Sequence, residues 1–166
     1  MWDTIEGLWS DTLADAQRLP ESAREATSDG EWSLVETLRH LVFATDVWVG
    51  RMVLGQAMPY HRLGLPPTDY PAADAAGLGL VIAARPSFSE EMDIRADRMA
   101  LMRSILAGVT DTEPEATRTG EPAPGWGEES LSMRGCLRVV FNEECEYRRY
   151  AVRDLAILET RAAPTT

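Results

Sequence analysis

The residues best suited to chemistry are a histidine and two glutamates that fall on two predicted helices. His40 lies beside the apolar stripe of its helix, and Glu143 and Glu144 directly follow an apolar run in the C-terminal part of the chain. Neutral imidazole is the commonest protein ligand of metal ions, and the interior of a helical bundle is an established place for such sites. His40 is therefore either a metal ligand that points into the bundle or a histidine at the rim of the core, hydrogen-bonded to a backbone group.

The two glutamates need partners if they are buried. Glu144 falls within a core-like stripe, whereas Glu143 shares a helix face with Tyr147, one turn further along. A buried carboxylate is costly unless it is paired or bound to a metal. The partner is either a metal ion shared with the histidine or an arginine such as Arg39 or Arg138, with solvent at the bundle mouth as a further alternative.

Four predicted amphipathic helices position these side chains, at residues 2–19, 33–55, 87–107 and 132–160. Capping boxes are predicted at the start of the second and third helices, where a serine is followed three residues later by glutamate. No segment shows the alternation typical of strands. The pattern predicts an all-α four-helix bundle with long connections after helices two and three. The first connection, rich in proline and glycine, is long enough to suggest a functional loop.

Length and composition exclude several classes of protein. The chain has 166 residues and a net charge of −11, and all 16 of its basic residues are arginine. We expect one domain over residues 1–160, with a frayed tail at 161–166. The acidic charge, without a local basic patch, argues against nucleic-acid binding. No apolar run is long enough to cross a membrane, and the N-terminus lacks a signal-peptide pattern, so we expect a cytoplasmic protein.

Familiar catalytic motifs are absent from the sequence. There is no glycine-rich phosphate loop, no CxxC pair, no HExxH and no serine-centred elbow. Cys136 and Cys145 are nine positions apart on one predicted helix, which is too far for a disulfide, so both are expected to be reduced. Periodicity and composition therefore indicate an acidic helical bundle with a single polar site.

Four segments in combination resemble the DinB-like superfamily, over roughly residues 28–159. They are "GEWSLVETLRHLVFATDVW", "HRLGLP", "ARPSF" and "NEECEYRRYAVRDL". The similarity is greatest to an actinobacterial branch related to mycothiol-dependent maleylpyruvate isomerase and to thiol S-transferases. The resemblance implies a four-helix bundle, often a homodimer, with a divalent metal such as zinc or nickel inside.

The resemblance also implies a ligand set. His40 matches the first metal ligand of the family and Glu143 the second. The third ligand is usually a histidine, and this chain has Tyr147 at that position. Because a catalytic zinc site uses three protein ligands and one open position, the metal site is either retained with Tyr147 or with Glu144 as substitute, or it is lost.

The function implied by the resemblance is metal-dependent transfer of a low-molecular-weight thiol, such as mycothiol, to a small electrophile. Five residues are expected to line the pocket, namely Thr37, Ala44, His61, Trp126 and Val140. Two alternatives remain open at this point. One is a non-catalytic bundle that binds a small ligand without metal, and the other is a structural or interaction dimer.

Overall fold

The computed structural model describes residues 1–27, 30–109 and 117–162, and its regular elements are predominantly helical. The helices are α1 (Trp2–Gln17), α2 (Glu21–Arg24), α3 (Leu34–Thr45), a π-helical segment (Asp46–Val53), α4 (Ala72–Gly77), α5 (Phe88–Gly108) and α6 (Met133–Ala162). The strands are β1 (Thr117–Gly120) and β2 (Glu129–Ser132). The prediction of an all-α class is confirmed. Positions 163–166 of the expected tail lie outside the described residues.

The strands were not indicated by the sequence, and neither were the short helix α2 and the π-helical segment. Thr117 pairs with Ser132 and Gly120 with Glu129 in an antiparallel hairpin. Seven of the eight strand positions lack a large apolar side chain, and none of the eight is fully buried. The expectation that the chain has no strands was therefore wrong here, because this hairpin is held by backbone pairing and carries no hydrophobic alternation.

Serine side chains begin two of the long helices. The Ser33 hydroxyl accepts a hydrogen bond from the Glu36 amide while the Glu36 carboxylate accepts one from the Ser33 amide, so the predicted capping box is complete. The Ser87 hydroxyl accepts from the Glu90 amide in the same way, without the return bond that a full box requires. These caps fix the residues at which α3 and α5 start. The start of α3 in turn sets the direction in which His40 projects from the helix.

One hydrophobic core joins the long helices. α1, α3, the π-helical segment, α5 and α6 all contribute fully buried side chains to it, among them Trp9, Leu38, Met52, Met102 and Val140. The free thiol of Cys136 lies in this core, whereas that of Cys145 is exposed. Among the helices of the described segments, none is long and apolar enough to span a membrane.

A second, smaller cluster lies under the long loop after the π-helical segment. Phe43 of α3 is its anchor, and the loop contributes Tyr70, Leu78 and Leu80. Ala123, from the connection between the strands, closes the cluster. The loop therefore packs on α3 through its own apolar side chains.

The core also contains an ionisable side chain without a hydrogen-bond partner. Glu91 of α5 has no solvent exposure, and neither carboxylate oxygen has a partner among the described residues. Burial raises the pKa of Glu91 to about 8, against the opposing charges of Arg39, Arg95 and, less strongly, Arg98, while Glu90 raises it further. The neutral acid is thus the form that the fold favours near neutral pH.

This raised pKa predicts a pH dependence of stability. The native state keeps the Glu91 proton between pH 4.5, the ordinary pKa, and about 8, whereas the unfolded chain has lost it. The stability that the raised pKa of Glu91 contributes is therefore complete below pH 4.5. It declines as pH rises above 4.5 and is lost once pH has risen through about 8. Relative to Glu91→Gln, the free energy of unfolding of the wild type should fall by up to about 1.4 kcal/mol per pH unit in this window. Urea denaturation of both proteins at several pH values measures the difference, and a difference that does not vary with pH would contradict the prediction.

Candidate functional site

The imidazole of His40 is held by a backbone carbonyl. The side chain is buried on α3, and its Nδ1 lies 2.9 Å from the carbonyl oxygen of Leu65. A carbonyl oxygen can only accept, so Nδ1 carries the hydrogen and donates it. In the neutral ring this leaves the lone pair on Nε2. Metal-binding histidines commonly have this arrangement, in which a hydrogen bond from one ring nitrogen fixes the tautomer and orients the other nitrogen.

The free nitrogen faces a carboxylate from another helix. Nε2 of His40 lies 3.3 Å from Oε2 of Glu143, which projects from α6 and is 30% exposed. With a neutral ring, both atoms offer lone pairs to the space between them. Two ligands of a tetrahedral zinc ion, each bound at about 2.0–2.1 Å, are separated by roughly the same distance. The donor types and their spacing therefore fit a divalent metal ion, and with a protonated ring the same pair forms an ion pair.

Tyr147 stands one helical turn after Glu143 and covers the histidine. The ring centroids of Tyr147 and His40 are 4.5 Å apart. Burial raises the pKa of Tyr147 to about 12, with smaller contributions from Glu143 and Tyr150. The phenol is therefore protonated at neutral pH and offers a hydrogen-bond donor or a neutral oxygen at the position where the resemblance led us to expect a histidine.

Trp32 completes an aromatic wall that the sequence analysis did not assign to the site. Its ring stacks on Tyr147 with centroids 5.9 Å apart, and it lies 5.0 Å from the ring of His40. Trp32 immediately precedes the helix cap at Ser33 and is eight positions before His40. Because Trp32 lies before the cap and outside the helix, helical spacing does not relate it to His40, and no signal in the sequence places it at the site.

A surface cavity of about 460 Å³ opens beside this wall. It is lined by Gly30, Glu31, Trp32, Thr37, Thr68, Tyr147, Tyr150, Arg153 and Asp154. The guanidinium of Arg153 lies 5.4 Å from the centroid of the Tyr150 ring and donates from Nε to Asp154 at 2.8 Å. The cavity thus combines aromatic faces with charges of both signs, which suits a small polar ligand with a planar or apolar portion.

Thr37 is the only one of the five nominated pocket residues that lines this cavity. Ala44 and Val140 are buried in the interior. Trp126 packs against Phe43, with ring centroids 6.1 Å apart. The remaining nominated residue, His61, is held at the start of the long loop.

The surroundings of His61 differ from those of His40. The His61 amide donates to Asp46 Oδ2 at 2.8 Å, and its Nδ1 accepts from the Leu63 amide at 3.2 Å. Burial lowers its pKa, and so do the neighbouring charges of Arg98 and Arg62. His61 is therefore neutral near pH 7, and its ring is part of a local turn of the loop.

The family model of the DinB superfamily matches residues 4–151, which is most of the chain. This chain belongs to the DinB superfamily. No curated protein and no solved structure matches it at a significant level. Within the described segments, no group of three or more histidine, cysteine, aspartate or glutamate side chains could hold a metal ion. The pair of His40 and Glu143 therefore has no third side chain of these types beside it in the described segments.

Glu144, the neighbour of Glu143 on α6, has a different environment. Glu144 is buried and forms an ion pair with Arg95 of α5, which is also buried. The sequence suggested Arg39 or Arg138 as the partner of a buried glutamate. The structure gives Arg95 of α5 instead. Arg148 points away from the site, since its Nε donates to the Leu8 carbonyl and to Thr12, both on α1.

Neighbouring glutamates should therefore respond differently to the same substitution. Glu144→Gln leaves the buried Arg95 charge without its counterion and should lower the free energy of unfolding by roughly 3–5 kcal/mol. Glu143→Gln removes a partly exposed charge and should change it by less than about 1 kcal/mol. Urea denaturation of the metal-free proteins at pH 7 measures both values. Equal losses for the two variants would show that both carboxylates are structural.

Proposed function

We propose that this DinB protein binds a divalent metal ion between His40 and Glu143 and transfers a low-molecular-weight thiol to a small electrophile. The observation that carries the proposal is the pair itself. Nδ1 of His40 is tied to a carbonyl, and Nε2 lies 3.3 Å from a carboxylate oxygen of Glu143. Membership of the superfamily supports it, because the relatives that the sequence resembles include metal-dependent enzymes that use such thiols.

In this proposal each group of the site has a stated task. His40 and Glu143 would hold zinc or nickel, which when bound lowers the pKa of a thiol and so favours the nucleophilic thiolate. The Leu65 carbonyl keeps the imidazole oriented. The Tyr147 hydroxyl serves as a third ligand or as a hydrogen-bond donor to a bound water. Trp32 and Tyr147 shield one side from solvent, and the cavity beside them receives the rest of the thiol or the electrophile.

A second candidate function is binding of a small ligand without metal. The direct contact between His40 and Glu143 favours it, because an imidazolium and a carboxylate at 3.3 Å satisfy each other with no ion between them. The aromatic rings that line the cavity would then be the main recognition surface; they are those of Trp32, Tyr147 and Tyr150. The two candidates differ in whether the pair binds a metal ion, which is directly measurable.

Metal affinity should follow the number of strong ligands at this site. For protein purified without a histidine tag, we expect zinc or nickel to bind at about one ion per chain, and His40→Ala to abolish binding. Tyr147→His supplies the third strong ligand and should tighten binding by at least roughly tenfold. Tyr147→Phe keeps the ring and removes the oxygen, so it is the matched control. Isothermal titration calorimetry and elemental mass spectrometry provide the measurements.

Absence of binding to the wild type, even with added zinc, nickel or manganese, would reject the metal proposal. Ligand binding without metal would then be the function to test, with Trp32→Leu as the variant that removes the aromatic wall.

Thiol transfer is tested separately from metal binding. The metal-loaded protein is incubated with monochlorobimane and, in turn, mycothiol, bacillithiol or glutathione, and the thioether product is followed by fluorescence. In the expected reaction the S–H bond breaks, its proton leaves to solvent, a C–S bond forms and chloride departs. The rate should exceed that with His40→Ala by at least roughly a hundredfold, within the range that nucleophile activation contributes. A metal-loaded protein that is no faster than this variant with any thiol would reject the transferase proposal while leaving the metal site intact.

A further inference from the structure

Arg39 is a fully buried cation that is not hydrogen-bonded to a carboxylate, although Glu91 is near enough for the two charges to interact. Its side chain has no solvent exposure, and none of the ion pairs among the described residues includes it. Its nitrogens donate instead to four loop carbonyls. Nε bonds Leu63 at 2.7 Å, Nη1 bonds Ala84 at 2.9 Å and Nη2 bonds Val81 at 2.9 Å, while the Ile82 carbonyl is shared at 3.3 Å. A guanidinium offers five donors in a fixed fork, and this loop backbone is arranged to accept nearly all of them.

These contacts join both ends of one loop to α3. We call residues 63–84 the clasp loop. Arg39 binds the outgoing end at Leu63 and the returning end at residues 81–84. The Val81 amide also donates to the Arg62 carbonyl at 2.8 Å, which ties the two ends to each other. The single side chain of Arg39 therefore joins both ends of the clasp loop to the helix.

The clasp loop in turn holds the histidine of the candidate site. The Leu65 amide donates to the backbone carbonyl of Arg39 at 3.1 Å, and the Leu65 carbonyl accepts from Nδ1 of His40 at 2.9 Å. The first residues of the loop thus run along α3 directly beside the histidine. A displacement of this segment would move the one acceptor that fixes the imidazole.

Close packing leaves this segment little freedom. A Cβ atom at Gly64 would lie 3.2 Å from the His61 carbonyl oxygen and 3.4 Å from Cβ of Phe43 on α3. The backbone at Gly64 therefore rests on the helix with no room for a side chain unless the loop or its neighbours shift by a few tenths of an ångström.

We infer that Arg39 is a positioning residue for His40. It clamps the clasp loop, the loop places the Leu65 carbonyl, and that carbonyl holds the imidazole with its hydrogen on Nδ1 and its lone pair on Nε2 toward Glu143. Arg39 itself touches neither a metal nor a substrate. The inference concerns the state of His40 in the metal-free protein, and only its consequence for metal affinity rests on the proposed function.

The tautomer of His40 is the spectroscopic test. The chain has two histidines, so ¹⁵N-labelled imidazoles give a simple long-range ¹H–¹⁵N spectrum. It is recorded at about pH 8, where an ordinary histidine is neutral. In the wild type, His40 should carry its hydrogen on Nδ1. In the wild type, His61, whose Nδ1 accepts from the Leu63 amide, should show the opposite tautomer, which distinguishes the two ring signals.

Arg39→Met should convert His40 to a mixture of tautomers, because the Leu65 carbonyl is no longer held in place. Arg39→Lys keeps the charge without the fork and should restore the signature only in part. Gly64→Ala keeps the guanidinium and displaces the clasp loop, so it should also shift His40 toward the mixture. Arg138→Met, at an exposed position of α6, is the matched control and should leave the spectrum unchanged.

Metal affinity is the second readout. If the wild type binds zinc, Arg39→Met should weaken binding by roughly 10- to 100-fold, as loss of groups that orient a ligand does. If the wild type binds no metal, the proposed function fails, and the tautomer result alone decides the inference. If Arg39→Met does not fold, Arg39→Lys and Gly64→Ala decide it. A folded variant set in which His40 keeps the pure Nδ1–H tautomer would overturn the inference and leave Arg39 as a stabilising residue only.

Discussion

The hydrogen bond from Nδ1 of His40 to the Leu65 carbonyl is the interaction on which the site depends. It joins the interior of the protein to a long loop and decides which ring nitrogen is free. Such an acceptor orients the imidazole only while its own position is fixed. Here it is held by the buried guanidinium of Arg39, by close packing at Gly64 and by the apolar cluster around Phe43. The long connection is therefore part of the site's architecture.

Two adjacent glutamates of α6 have different environments. Successive positions on an α-helix point about 100° apart, so Glu143 and Glu144 face different neighbours. Glu143 is partly exposed and contacts His40, whereas Glu144 is buried with Arg95. A buried pair of this kind is strongly coupled to folding, because either charge alone is costly in the interior. The charge of Glu143, which is partly exposed, is not coupled to folding in this way.

Tyr147 differs from the histidine that the resemblance implied, both in its protonation state and in the surface that it offers. A phenol whose pKa is raised to about 12 stays neutral, so it contributes a weaker donor than an imidazole would. It also adds an aromatic face that packs with Trp32 and His40 and forms one wall of the cavity. A neutral phenol is a weak metal ligand but offers an aromatic surface, so the proposed metal-dependent transfer and the alternative of metal-free binding are both chemically consistent with these residues.

Local signals in the sequence determined the helical class and the cap at Ser33, and a combination of segments indicated the family and, through the resemblance, an association of His40 with Glu143. These properties depend on residues close together in the chain or on a recognisable combination of segments. Only the tertiary structure decided that Arg95 neutralises Glu144, that Trp32 lines the cavity and that the Leu65 carbonyl fixes the imidazole. The exposed hairpin and the change from α- to π-helix at Asp46 were likewise not predictable. Each of these features depends on contacts between segments that are far apart in the chain. The periodicity of a single sequence does not predict which of those segments come into contact.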